Sequence, residues 1–329
     1  MGSKKGFLEI QFNWIFILIA GAIIIMLFAG IITDQQNIFK VSADVSIITG
    51  LDAILSGYET SSGTVNIVEI PKVKIEFGCN SYSIGQISEQ HNEMNVFAPS
   101  VLEGASIISM TREWDVPYKA ANLVYLTNPG IRYVFIGNSD FARRIFEKIP
   151  DEVRNDGYTN VDAIENENDD KIRIIFFDRN PEFPENLNDL DNKLITALKV
   201  SGDEDKGMLE FFSAEDNKFV SKGTSHYIKE STLLGAVFSD DFGNYECAMK
   251  NLFKKLGVVS GVYWRKVNNL MLMYKHKQCE QYYDPGSIQA IKEASNSFTD
   301  LNINIIDLHS KNLGLQIKQL QRVSCPPIY

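Results

Sequence analysis

The spacing of apolar residues changes along the chain, and each change predicts a different kind of element. Phe12 to Ile32 is an apolar run of 21 residues whose one clearly polar member is Asn13. At 1.5 Å per residue, a helix of that length matches a bilayer core of about 30 Å. A transmembrane helix is therefore expected over residues 12–33. Ile38, Val41, Val45, Ile48, Leu51 and Leu55 then recur every three or four positions, which is one face of a membrane-proximal helix and linker over 34–60. That face packs either on its own domain or on a neighbouring copy. Gly57 and the loop Thr60-Ser61-Ser62-Gly63 end the helix.

From residue 64 the period falls to two. Val65, Ile67, Val73, Ile75 and Phe77 alternate with polar partners, and Pro71 divides the run. Further β-rich runs are Asn95–Ala98, Ile107–Met110 and Leu123–Leu126, followed by the turn Asn128-Pro129-Gly130. Strands and helices then alternate. Arg132–Ile136 predicts a strand, and Asp140–Lys148 a helix capped by Ser139. After an acidic loop over 150–170, Ile172–Phe177 predicts a strand and Leu187–Val200 a helix. Met208–Phe212 and Phe219-Val220 suit a hairpin, and Leu233–Phe238 another strand. Strands separated by helical segments imply βαβ units and a parallel sheet. The last third predicts four helices: Asn244–Leu256, Val262–Tyr282, Ser287–Phe298 and Asp307–Val323. They either flank the sheet or form an appended helical hairpin.

The expected fold class is thus α/β. An N-terminal transmembrane helix carries an extracytoplasmic, mostly parallel sheet with a β-rich leading segment and a helical C-terminal part. The expected divisions are a cytoplasmic segment over 1–11, the span over 12–33, the linker over 34–60, an α/β domain over 61–240 and a helical region over 241–329.

Charge sets the orientation. Lys4 and Lys5 precede the apolar run, so the N-terminus is expected in the cytoplasm and everything after Thr33 outside the cell membrane. The net charge is −10; Lys4 and Lys5 against Glu9 leave the first eleven residues at +1, so the rest carries −11. An acidic domain repels nucleic acid, which is not an expected partner. The expected partners are the lipid bilayer, through residues 12–33, and further copies or other envelope proteins. Cys79, Cys247, Cys279 and Cys325 all fall on the outer side, where an even count favours two disulfides. Three pairings are open, and Cys279 with Cys325 is preferred because it joins two C-terminal helices.

The apolar run is longer than the 7–15 residues of a cleavable signal, and Leu27-Phe28-Ala29 is a poor cleavage site. A plain anchor is the simplest reading. Lys4-Lys5-Gly6, Phe7, Glu9 and the apolar helix after them resemble the start of type IV pilin-like precursors. That resemblance implies cutting between Gly6 and Phe7 and packing of the freed helix into a filament. Glu9 is the third residue after the cut, whereas the family's glutamate is the fifth, a place held here by Gln11. Over the whole length, the start Glu9–Phe16, the segment Trp114–Tyr118, the run Tyr125–Tyr133, the helix start Asn244–Cys247 and the end Cys325–Tyr329 are similar to a group of uncharacterised archaeal membrane proteins. This second resemblance implies an archaeal envelope location and no particular chemistry.

Candidate chemistry is sparse. Ser239-Asp240-Asp241 follows a predicted strand, and so does Asp178. Ligands of open α/β sheets bind beyond the carboxyl ends of strands, so Asp178, Asp240 and Asp241 are the candidate ligand-binding residues. Asp240 and Asp241 also suit a plain helix cap, which is the simpler reading. No cofactor and no metal is expected. Gly137-Asn138-Ser139-Asp140 has one glycine where phosphate loops need several. His91, His226, His276 and His309 have no ligand spacing, and the acidic runs 165–170 and 203–205 lack the calcium-loop pattern. Trp114-Asp115-Val116-Pro117-Tyr118 is expected as a buried corner; exposed, it would serve as a protein or glycan contact. The function expected is therefore non-enzymatic interaction or assembly at the envelope. A filament subunit is one alternative. A small-molecule binder or hydrolase using the strand-end acids is another.

Overall fold

The computed structural model describes Met26 and residues 44–53, 55–57, 62–90, 95–167 and 169–329. The expected span over 12–33 apart from Met26, the Gly6-Phe7 junction and His91 lie outside the described residues. Among the described residues no helix is long and apolar enough to cross a membrane.

Helix α1 covers residues 44–53 and 55–57, and its Ile48, Leu51 and Leu55 enter the core of the chain's own domain. The β-rich leading segment forms a complete sheet. Its strands are β1 (Val65–Phe77), β2 (Ser81–Ile84), β3 (Ile87–Gln90), β4 (Val96–Phe97), β5 (Val101–Asp115) and β6 (Lys119–Thr127). The order is β3-β2-β1-β5-β6-β4, antiparallel except where β4 runs beside β6. Between β1 and β5 the register shifts around Pro71, where proline has no N–H for the ladder.

The second sheet contains β7 (Ile131–Ile136), β8 (Asn155–Tyr158), β9 (Lys171–Phe177), β10 (Ile195–Gly202), β11 (Lys206–Glu215) and β12 (Lys218–Ile228), in the order β12-β11-β10-β9-β7-β8. The strands β8, β7, β9 and β10 are parallel, and β11 and β12 form an antiparallel hairpin at one edge. The single, mostly parallel sheet expected from the sequence is thus two sheets, one of them antiparallel. Helix α2 (Asp140–Phe146) makes the crossover from β7 to β8, with Ser139 Oγ accepting the Ala142 N–H at 3.1 Å. The strand β8 occupies part of the stretch expected to be an acidic loop. Its Asn-Asp-Gly-Tyr sequence has no apolar alternation, and it pairs only as an edge strand.

Two further expectations fail for physical reasons. Leu187–Val200 is two short 3-10 turns followed by β10. Leu187, Leu190, Leu194 and Leu198 have helical spacing, but Ile195, Ala197, Leu198 and Val200 are buried between β9 and β11. Leu233–Phe238 lies in a helix, α3 (Glu230–Phe238), and not in a strand. Residues Thr232 to Phe238 are all buried, and α3 packs against both sheets. A segment buried on every side and outside both strand ladders has to satisfy its backbone internally, which a helix does. Gly235 permits the approach, since a Cβ there would lie 2.8 Å from the Phe97 ring.

The C-terminal region is α4 (Phe242–Met273), α5 (Gly286–Ala294) and α6 (Asp300–Arg322). The two helices expected over 244–256 and 262–282 are one continuous helix that ends at Met273, and 274–282 is a set of turns closed by a 3-10 turn at Glu280–Tyr282. Gly257 interrupts the pattern but not the helix; a Cβ there would meet Ser295 Oγ at 2.6 Å, so the glycine admits the end of α5. These helices are not a separate domain. Tyr245 on α4 lies 5.7 Å from Phe97 and 5.4 Å from Phe211, bridging the two sheets within one core. The outer face of the second sheet holds a smaller core, with Val134, Ile172, Ile174 and Phe176 covered by Val161, Ile164 and Leu187 from the connecting loops.

Candidate functional site

The acids named from the sequence do not meet. Asp178 follows the end of β9, exposed and with φ 53°, a conformation that aspartate tolerates better than most residues. It donates its N–H to Val200 O of the neighbouring strand β10 at 2.9 Å. The crevice between β7 and β9, where the strand order reverses, is filled by Phe135, Phe141 and Phe177, with the Phe141 and Phe177 rings edge-on at 5.7 Å. Asp240 lies at the other end of β9, paired with Lys171, the first residue of that strand. A shared Asp178–Asp240 site is therefore ruled out by geometry: the length of a strand separates them. Asp241 caps α4, its Oδ1 accepting the Asn244 N–H at 2.8 Å.

The Asp240 side chain instead anchors a buried joint. Besides Lys171, it accepts the Ser100 N–H at 2.6 Å, so the α3–α4 junction is tied to both sheets. Arg173, two residues along β9, is fully buried. Its guanidinium donates to Ala197 O at 3.1 Å, Ala236 O at 3.1 Å and Ser239 O at 2.7 Å. Two of those carbonyls belong to the buried end of α3, whose last carbonyls lack partners within the helix. Burial pushes the Arg173 guanidinium down to about 10, against the pull of Asp240 and Tyr133, and it stays charged at neutral pH. The sequence signal for this joint was Lys171 and Arg173 within an otherwise apolar strand.

Burial alone raises the Asp240 carboxyl, but Lys171, Ser100 N–H and Arg173 together hold it below the ordinary carboxylate range. Its contribution to stability is therefore present above about pH 4, the unfolded carboxylate value, and is lost as pH falls through the lower folded value. Urea midpoints of the wild type are expected to fall below about pH 4. Asp240→Asn should start lower at pH 7 and lose less on acidification. An unchanged slope in the variant would assign the acid sensitivity to other groups.

A polar cleft of 720 Å³ opens between β5, the end of α2 and the start of α3. It gathers Arg112, Arg144, Lys148 and Lys229 with Glu113, Asp115, Glu204 and Glu230. Most of these charges are paired: Lys148 with Glu230, Arg144 with Glu204 at 2.9 Å, Glu113 with Lys119 at 2.6 Å and Lys229 with Asp205 at 2.5 Å, while Arg112 donates to Lys148 O at 2.8 Å. Burial pushes the Asp115 carboxyl up and Glu113 adds to this, with Lys119 opposing. The cleft is a neutralised seam between the two layers. A second cavity, apolar and of 380 Å³, lies between α1 and β1, lined by Ile47, Leu51, Val68, Ile70 and Ile107. A third, of 570 Å³, runs between α4 and α5 beside Trp264, Arg265 and Lys292. Among the described residues no group of three or more His, Cys, Asp or Glu side chains is placed to hold a metal ion.

The cysteines pair as Cys79–Cys247 and Cys279–Cys325. The first joins the β1–β2 turn to α4. Asn244 Nδ2 donates to Phe77 O at 2.9 Å and Asn251 Nδ2 to Asn80 Oδ1 at 2.6 Å, so three residues of one helix face hold the same turn. The second disulfide joins the chain after α4 to the tail after α6. Trp114, Val116 and Tyr118 of the expected corner are buried while Asp115 is exposed, and the tail reaches it, with the Tyr118 and Tyr329 rings 5.5 Å apart.

No family model, no curated protein and no solved structure matches this chain.

Proposed function

We propose that the chain is a membrane-anchored envelope protein whose outer domain works by binding other macromolecules. The observation that carries the reading is the surface of the helical layer. Val258, Val262, Leu272, Met273, Leu301, Leu308 and Leu315, all on α4 and α6, are 56–71% exposed. Isolated exposed hydrophobics are ordinary, but α4 and α6, which both pack on α5, each carry several of them, and a helix with several such residues in sequence is the mark of a contact surface. The location is supported by the apolar run over 12–32 and by two disulfides, which belong to oxidising compartments. Most charged groups of the polar cleft and of the Asp240 joint are held in ion pairs, which favours binding through the helical face over chemistry at those places.

Fractionation of the full chain, with protease treatment of intact cells and intact-mass analysis of the N-terminus, tests the reading. Retention in alkali-washed membranes with the domain open to external protease is the expected result. A start at Met1 or Gly2 is expected for a plain anchor. A start at Phe7 turns the reading to a filament subunit, in keeping with the Lys4-Lys5-Gly6-Phe7 segment. Release into the soluble fraction, or a domain protected from protease, refutes it.

A further inference from the structure

The geometry points to α6 as a self-pairing surface, on which two copies of this chain meet antiparallel about a twofold axis near Leu308. This deepens the binding reading above by naming the partner, and it rests on the helical layer being a binding surface. Leu301, Leu308 and Leu315 are 68, 56 and 60% exposed and stand seven residues apart. Seven residues are two turns of helix, so the three form one line along α6, with half-buried Ile305 beside it. The opposite face of α6 is spent on its own core through Ile303, Ile306, Leu313 and Leu320. Among the described residues nothing covers the leucine line.

Charge selects both the partner and the direction. Asp300 opens α6, and Lys318 and Arg322 stand exposed near its end. In an antiparallel pair, Leu308 meets Leu308, Leu301 meets Leu315 of the second copy, and Asp300 stands opposite Gln316, two residues or about 3 Å along the axis from the second copy's Lys318. The helix dipoles then also oppose favourably. A parallel pair sets Asp300 against Asp300 and Lys318 against Lys318, which is repulsive. The helix is 23 residues long, about 34 Å. A stable interface buries about 800 Å² on each partner, and four apolar side chains supply only part of that. The pair is therefore weak for freely diffusing chains and gains from confinement of both copies to one membrane.

Single cysteines in the full chain, in its membrane, test this directly. Under mild oxidation Leu308→Cys is expected to give a covalent dimer on a non-reducing gel. Leu301→Cys and Leu315→Cys are each expected to stay monomeric, because the antiparallel pair sets like positions about 21 Å apart. Co-expression of those two variants should restore the dimer. Asp300→Lys should lower the Leu308→Cys yield by up to about fivefold, and adding Lys318→Asp should recover it. All three positions are exposed, so folding is checked simply by an unchanged melting temperature. Dimers from all three single variants indicate a parallel pair and overturn the proposal. Absence of any dimer overturns it too, and leaves the line facing another protein or a lipid surface. Failed cross-links with membrane retention intact sink self-pairing alone, whereas loss of retention sinks the anchoring reading.

Discussion

Replacing Cys79 and Cys247 together by serine is expected to destabilise the fold by up to about 5 kcal/mol, the chain-entropy limit for a bridge that closes so long a loop. The bridge spans 168 residues, from the β1–β2 turn of the first sheet to α4. Without it the unfolded chain gains freedom, while the folded chain keeps the Asn244 and Asn251 hydrogen bonds that tie that turn to α4. The Cys279–Cys325 bridge spans 46 residues, so the same replacement there should cost about 4 kcal/mol at most. Urea midpoints under non-reducing conditions read both values. A larger loss at Cys279–Cys325 would show that the tail, and not the contact between sheet and helix, limits stability.

Arg173→Ala is expected to cost about 3–5 kcal/mol, the range for breaking a buried charged network by removing one member. The loss has two parts. Ala197, Ala236 and Ser239 lose the donor for their buried carbonyls, and Asp240 loses one of the cations that stabilise its charge. Arg173→Met fills the volume but donates nothing, so most of the loss should remain. Arg173→Lys keeps the charge without the planar fork and should recover part of it. Equilibrium urea unfolding of the three variants orders them. If Met matches the wild type, the carbonyls at the end of α3 have found other donors.

Much of the fold was legible in the sequence where the signal is local. Ser139 and Asp241 cap helices because their oxygens answer N–H groups two or three residues on, within the same stretch of chain. The alternation in Val65–Phe77 marks β1, where Ile75 and Phe77 share a buried face, and the short apolar runs near Ile107 and Leu123 mark β5 and β6, which are buried there on both faces. The candidate site was much less legible. Asp240 looked like a strand-end acid because the apolar run before it could equally be a strand or a buried helix. Its partner Lys171 is 69 residues away, and no local pattern links them. The Trp114–Tyr118 corner and the Cys325–Tyr329 end stood out separately, and only folding brings Tyr118 to Tyr329.

The sequence by itself determined the apolar run over 12–32, the acidic balance, the even number of cysteines and the type of most elements. These depend on composition, run length or contacts within a few residues. The tertiary structure alone decided that the leading strands close a sheet of their own, that residues 233–238 are a helix enclosed by two sheets, and that Asp240 is a joint. It also decided that Leu301, Leu308 and Leu315 face outward. Helical spacing shows which residues share a face, but only packing decides which face is turned to the core.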